Sequence, residues 1–443
     1  MKIATQILQE PFDHPTMQAL TIFAKERGAQ LYLVGGSVRD LLLGRQTTDI
    51  DFTLASDAIQ FAKAFAIDIG AVAIALEENP PTARVIVKQD DISRTPQISM
   101  DFTQFRATSL TDDLRLRDLT INAMAIAFEN AQTFTNRSHE HHLSRVIDPC
   151  GGMKDLETGL LRFPSKQVVI ADPLRLLRIY RFAAQLDFHI SQNAIDLVTA
   201  YRSMLPNVAA ERCRDELMKI FYVKKAYPYL QQMDATGLLT QVVPIRKGAR
   251  QTWISLETFE ESPIPADLDA YRKKINHYLQ EELSVEINRR SLIKLCLLLG
   301  DNLDGIGERL RFSRKVVQFM ECLISGSKKL RNIIPQLTQK QINRFLRTYA
   351  SDWWGILLYS AASSPIDSAI LKQIADTYYE HMLPIYKQGR LITGNDLIQE
   401  FHLKEGEQVG DLLKEIEDRQ FDGEIRTRKE AFAAVAALIQ KHP

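Results

Sequence analysis

Residues 31–54, LYLVGGSVRDLLLGRQTTDIDFTL, constrain this chain more than any other stretch. An apolar run leads into Gly35-Gly36. A helix-forming segment from Val38 to Leu43 follows, stopped by Gly44, and a second strand carries Asp49 and Asp51. Residues two apart in a strand share a face, so the two carboxylates repel unless a cation lies between them. Mg²⁺ suits them, because it takes carboxylate oxygens and completes its shell with water and phosphate oxygens. Gly35 and Gly36 let backbone N–H groups approach a polyphosphate, and Arg39 adds charge-assisted donors. An isolated Asp-x-Asp or Gly-Gly is usually a surface turn. The order strand, Gly-Gly, Arg-Asp helix, strand, Asp-x-Asp makes the stretch read as a triphosphate site with catalytic metals.

The remaining bulk properties set bounds. A chain of 443 residues accommodates about two to four domains. Lysine plus arginine equals aspartate plus glutamate at 55 each, which weighs against a uniformly basic nucleic-acid surface but allows a local basic stripe. Cys150, Cys213, Cys296 and Cys322 are far apart with no C-x-x-C, as expected for reduced thiols in a cytoplasmic protein. The opening MKIATQILQEPFDHP lacks the apolar core of a signal peptide, and no apolar run approaches a membrane span.

Along the chain, a helix is expected around Met17–Phe23, ending near Gly28, and another over Asp57–Ile69 with Gly70 as its stop. Strands are expected at Arg84–Val87 and Ile98–Phe102. In the second, Asp101 falls on the polar face, either as a third acidic group near the metals or as a solvated strand residue. His139, His141 and His142 form a cluster without a regularly spaced acidic or cysteine partner, which suits an exposed loop better than a metal site.

GGSVRDLLLG followed by DIDF resembles the signature of class II tRNA nucleotidyltransferases and bacterial poly(A) polymerases, within the polymerase-β-like nucleotidyltransferase superfamily. Further motifs extend the resemblance. Arg117-Asp118 through Ala125 is similar to the family's RRDFTINAMA, with Leu116 in place of the first arginine; the match implies that Arg117 binds nucleotide. Taken alone, the same residues could begin an amphipathic helix with Asp118 as its N-terminal charge. Ile147–Leu156 resembles the family's DPFGGLEDL hinge between a catalytic head and a helical neck.

Asp172, Arg175, Arg178 and Arg181 match the family's E-D-x-x-R-x-x-R-x-x-R in register, with Ala171 where the glutamate would stand. Asp172 can cap a helix that has Pro173 in its first turn, and Arg175 neighbours it on the helix surface. A carboxylate accepts from the exocyclic amine of cytosine or adenine, and a guanidinium donates to the adjoining ring acceptors. Without the resemblance, an ordinary i,i+3 salt bridge is the better account of the pair. With it, Asp172 and Arg175 are implied to be a protein template for CTP, while Arg178 and Arg181 shape the pocket or reach phosphate and primer. Ala210–Leu217 resembles the family's S-x-E-R-I-R-D-E-L helix, expected to stabilise the neck.

One departure bears on product. Only Ala107 to Asp112 separates Phe105-Arg106 from the second motif. Family members that add all of CCA usually carry a longer charged loop here, and its loss is associated with members that add only the two cytidines. A mobile arm can help reshape one pocket from cytosine to adenine. The tail resembles the helical phosphohydrolase-like region of bacterial relatives without its histidines: Thr252-Trp253-Ile254 and Gly300-Asp301 stand at the corresponding places, so metal binding there is not expected. Arg309, Arg311, Arg314, Lys315, Lys328 and Lys329 are candidates for tRNA backbone contact or for a solvated helix face.

The expected fold is α+β: a catalytic head with a mixed sheet over 1–150, a helical neck with base recognition over 151–230, and a helical body and tail over 231–443. The expected function is addition of cytidines to the tRNA 3′ end from CTP, releasing pyrophosphate, without a nucleic-acid template and with two Mg²⁺ held by Asp49 and Asp51. The partners are tRNA, a nucleoside triphosphate and a separate A-adding enzyme. The rival readings are full CCA addition with CTP and ATP, poly(A) polymerase, and a non-catalytic RNA-binding protein.

Overall fold

The computed structural model describes residues 14–45, 49–87, 98–131, 145–245 and 250–441. His139, His141 and His142 lie outside the described residues. The chain divides into two compact units, Met1–Val223 with Pro228–Val242, and Lys224–Tyr227 with Val243–Pro443. Head and neck, separate segments in the sequence, therefore share the first unit.

The first unit opens with α1 (Pro15–Glu26), β1 (Tyr32–Val34), α2 (Gly36–Leu42), β2 (Asp49–Leu54), α3 (Ala58–Asp68), β3 (Val72–Glu78), β4 (Pro81–Val87), β5 (Ile98–Gln104), α4 (Leu110–Arg115) and β6 (Ala125–Ala127). The strands form one mixed sheet in the order β3-β4-β5-β2-β1-β6, with β2 and β5 parallel. Alternation along β2 and β5 sends Ile50, Phe52, Met100 and Phe102 to one side, all buried. Phe52 stacks on Phe102 at 5.3 Å, and Phe61 and Phe65 of α3 and Phe23 of α1 complete this aromatic core. The opposite face of the same strands carries Asp49, Asp51, Ser99 and Asp101, so covering one side with helices leaves the other polar.

Asp57, expected as the first helical residue, is instead the N-cap of α3, its side chain accepting from the N–H groups of Ile59 and Gln60. The neck follows as helices Gly152–Thr158, Lys166–Ala171, Arg175–Leu186, Gln192–Tyr201 and Ala210–Tyr222. Asp148 caps the first of these, accepting from Gly152 N at 2.8 Å and Met153 N at 2.9 Å.

The second unit is built mainly of helices. Arg289–Leu299 is almost wholly buried, and Gly326 of Arg314–Ile333 lets Ile356 of Trp353–Ser363 approach its backbone. A smaller core of Ile392, Leu397, Val409, Ile416, Ile425, Ala431 and Val435 organises the last three helices. Gly300 sits against the Thr252 methyl, and Asp301 pairs with Lys328 at 3.1 Å. Among the described residues, no helix is long and apolar enough to cross a membrane.

Candidate active site

Asp49 and Asp51 stand on the polar face of β2, with Ile50 buried between them. Ser37 of α2 fixes this strand end: its hydroxyl accepts from Asp51 N at 2.7 Å and donates to Asp49 O at 3.4 Å. Asp51 pairs in register with Asp101 on β5, yet both Asp101 oxygens accept from Arg84, at 2.7 and 2.8 Å. Burial pushes the Asp51 carboxyl up to about 6, with Asp101 and Asp49 adding to the shift and Arg117 and Arg39 opposing it. A carboxylate disfavoured in this way is stabilised by a cation. Among the described residues, no group of three or more His, Cys, Asp and Glu side chains is placed to hold a metal. With both Asp101 oxygens bonded to Arg84, the acidic face presents Asp49 and Asp51, a donor set that suits Mg²⁺ sharing its remaining positions with water and phosphate oxygens.

The two glycines open the floor beside Asp51. Gly35 has φ +65°, and a Cβ there would lie 3.3 Å from Arg117 Nη1 and 3.6 Å from Asp51 Oδ2. A Cβ on Gly36 would lie 3.5 Å from Arg39 Nη2 and 3.7 Å from Asp51 Oδ2. The space that side chains would fill is therefore bordered by two guanidinium groups and a carboxylate, a cradle shaped for phosphate with a bound cation.

A polar cleft of about 640 Å³ gathers Gly35, Gly36, Arg39, Asp51, Arg117, Asp172, Arg175, Arg178 and Arg181. Its arginines are held in place by specific partners. Arg39 donates to both oxygens of Asp40, at 3.0 and 2.7 Å, and to Asn122 Oδ1 at 2.8 Å. Arg117 donates twice to Asp113, at 3.2 and 3.1 Å. Arg178 donates to Asp118 at 2.9 and 2.5 Å, and Arg181 pairs with Glu216 at 3.0 Å. The guanidinium carbons of Arg181, Arg39 and Arg178 lie 4.2, 5.1 and 5.5 Å from the centre of the Phe182 ring, within cation–π range.

The structure changes the expected relation of Asp172 to Arg175. The helix begins at Arg175, and Asp172 precedes it in an extended conformation, φ −144° and ψ 96°. Pro173 explains this, since the residue before proline is excluded from helical backbone. Asp172 is not the cap expected: the N-cap is Leu174, without a side-chain cap bond, and Asp172 Oδ1 accepts from the Leu174 N–H at 3.2 Å in the turn ahead of the helix. Its other oxygen accepts from Arg212 Nη2 at 2.9 Å, whereas Arg175 donates to the carbonyls of Leu116 and Arg117 at 2.8 and 3.4 Å.

Several cleft residues escape a reading for sites from sequence. Arg84, Arg106, Asn122, Phe182, Gln185 and Arg212 line the cleft but carry no motif signal as ligands. Asp118 matches the arginine-aspartate motif, which implies a ligand role for Arg117 and none for Asp118. Its Oδ1 accepts from Leu119 N at 2.8 Å, at the start of the short Thr120–Asn122 helical turn, and from Asn122 Nδ2 at 3.1 Å, while its Oδ2 accepts from Arg178. Burial alone would raise the Asp118 carboxyl; the charge and hydrogen bonds of Arg178, with a bond from Asn122, outweigh it and hold it well below the usual carboxylate range.

Three family models match the chain: the poly A polymerase head domain over residues 31–162, the probable RNA and SrmB-binding site of polymerase A over 187–248, and tRNA nucleotidyltransferase domain 2 over 293–436. The CC-adding tRNA nucleotidyltransferase of Geobacter sulfurreducens is 29% identical over 428 residues, 94% of each chain. The chain belongs to the family of tRNA nucleotidyltransferases and bacterial poly(A) polymerases. It is therefore a nucleotidyltransferase. The CCA-adding enzyme of Ligilactobacillus salivarius is 26% identical over 93% of this chain and 94% of its own. The fold is shared with a CCA-adding enzyme solved with CTP, at TM-score 0.71 and 21% identity over 96% of both chains. It is also shared with the Thermotoga maritima CCA-adding enzyme solved with tRNA, at TM-score 0.68 and 20% identity over 99% of this chain and 100% of that one. Asp172–Phe182 falls between the first two family matches, while the full-length relatives span it.

Proposed function

We propose that this nucleotidyltransferase adds cytidines to the 3′ end of tRNA from CTP, without a nucleic-acid template, and stops after two. The 3′-hydroxyl attacks the α-phosphate, the bond to the β-phosphate breaks, and pyrophosphate leaves with the electron pair. Gly35, Gly36, Arg39 and Arg117 hold the triphosphate, and Asp172 and Arg175 read the amine and ring acceptors of cytosine. Asp49 and Asp51 would hold Mg²⁺, which when bound neutralises the phosphates and makes the attacking hydroxyl more acidic. Exposed Arg309, Arg311, Arg314, Lys315 and Lys329 are assigned to the tRNA backbone.

The observation that carries the two-cytidine product is the segment after β5. It runs directly into α4, where Ser109 accepts from Asp112 N at 3.2 Å as the cap. Asp113 is fully buried and takes both flanks, Arg106 N at 2.9 Å and Arg117 Nη2 at 3.1 Å. A stretch anchored in this way supplies no arm to remodel the pocket for adenine. A separate A-adding enzyme then completes the end.

The test is extension of a tRNA transcript lacking CCA, with CTP and ATP together, read at single-nucleotide resolution. The expected product is two residues longer. Extension by three overturns the two-cytidine product in favour of full CCA addition, and a long adenosine tail makes the protein a poly(A) polymerase. No extension by the wild type overturns the tRNA 3′ end as its substrate.

A further inference from the structure

Asp172 and Arg175 carry opposite charges three residues apart, lining one cleft. Left to themselves, such groups close into an ion pair, which would occupy both when a base must be read. In the structure each has another partner. Arg212 Nη2 donates to Asp172 Oδ2 at 2.9 Å, and Leu174 N donates to Oδ1 at 3.2 Å, so donors on both oxygens set the plane of the carboxylate. Arg175 Nη1 is drawn the other way, to the carbonyls of Leu116 and Arg117. Arg212 itself comes from the Ala210–Tyr222 helix and lines the cleft, with its side chain 55% exposed.

We infer that Arg212 is a specificity-determining positioning residue: it holds the Asp172 carboxylate turned toward the incoming base and away from Arg175. This rests on the base-reading role proposed above for Asp172 and Arg175. A carboxylate oxygen has a second lone pair, so Oδ2 can accept the cytosine amine while it still accepts from Arg212. Uracil presents an oxygen where cytosine presents the amine, and a fixed carboxylate meets that oxygen as an unrelieved repulsion. A carboxylate free to rotate toward Arg175 loses the attraction for cytosine and the repulsion for uracil together. Arg212 therefore governs discrimination between bases more than turnover.

The experiment measures kcat and KM for single-nucleotide addition of CTP and of UTP to a tRNA transcript lacking CCA. It compares wild type, Arg212→Gln, Arg212→Lys and Asp172→Asn. Arg212→Gln is expected to lower the CTP-over-UTP ratio of kcat/KM by about tenfold, the scale set by a well-oriented pair of base contacts. Arg212→Lys, which keeps a charged donor, is expected to recover part of the ratio. Thermal melting of each variant separates this effect from misfolding, which would lower both activities and leave the ratio unchanged. An unchanged ratio in Arg212→Gln alongside a collapsed ratio in Asp172→Asn overturns the inference and leaves the base-reading role standing. An unchanged ratio in Asp172→Asn overturns the base-reading role itself. Equal losses for CTP and UTP through a raised KM for tRNA would make Arg212 a primer contact, which also overturns the inference.

Discussion

Asp118 and Arg178 are joined by two hydrogen bonds, at 2.9 and 2.5 Å, between the segment after α4 and the Arg175–Leu186 helix. The bond ties the wall that carries Arg117 to the wall that carries Arg175. Asp118→Asn leaves Arg178 with Glu216, 3.5 Å away, as its remaining carboxylate. Removing one partner of a buried pair is expected to cost about 3 kcal/mol, read as a lower urea midpoint. The pH dependence has a definite sign. The native carboxyl lies below its unfolded value, so its contribution is complete above about pH 4 and is lost as pH falls toward the native value. Stability of Asp118→Asn should therefore fall less steeply than that of the wild type below that pH.

Asp51 gives the opposite slope in a higher window. Its native carboxyl is raised to about 6, so without metal the folded protein binds a proton more tightly than the unfolded chain. Metal-free protein should gain stability as pH falls from above 6 toward the unfolded value, and saturating Mg²⁺ should oppose that trend. Proton and cation compete for the same oxygens, so Mg²⁺ affinity is expected to weaken about tenfold for each pH unit below the native pKa. Calorimetric titration at pH 5 and at pH 7.5 checks this, and equal affinities would remove Asp51 from the cation site.

How much of this was legible in the sequence depended on whether a residue's role is local. The Gly-Gly turn, α2 and the Asp-x-Asp strand obey short-range rules, and the structure forms them within a residue or two of expectation. The edge strand β3 and the short β6 carry no such local signal, because their identity depends on partners elsewhere in the sheet. The same limit applies in the cleft. Arg84 acts through Asp101 across a strand pair, and Arg212 acts through Asp172 across forty residues, a contact that no local spacing encodes. At Asp172 two local rules compete: Pro173 suits the first turn of a helix, but its restraint on the preceding residue decides the geometry.

Gly152 joins head to neck by close approach. A Cβ there would lie 2.1 Å from the carbonyl oxygen of Thr120, two residues before Asn122, which holds Arg39. The contact is to backbone, so it cannot be relieved by rotating a side chain. Gly152→Ala is expected to cost about 1–3 kcal/mol in urea unfolding. It is also expected to reduce CTP addition, since the turn that carries Asn122 must shift. A variant with wild-type stability and activity would show that this approach is not required.

In the second unit, Lys294 is 1% exposed and pairs with Glu260 at 2.7 Å. Glu260 also accepts from Ala226 N and Tyr227 N, both at 2.9 Å, and Lys294 donates to Lys224 O at 3.1 Å. The pair thus satisfies the backbone of residues 224–227, which enter this unit ahead of its main run. Burial pushes the Lys294 ammonium down, and Glu260 pulls it back up. Lys294→Met removes the cation and leaves a buried carboxylate with backbone donors alone, at an expected cost of about 3–5 kcal/mol. Neutralising Glu260 as well, in Lys294→Met with Glu260→Gln, should recover part of that loss because no buried charge then remains. Urea unfolding followed by limited proteolysis of the second unit checks both variants. A double variant less stable than Lys294→Met would mean that the Glu260 carboxylate matters chiefly as acceptor for Ala226 and Tyr227, whose N–H groups its two oxygens serve.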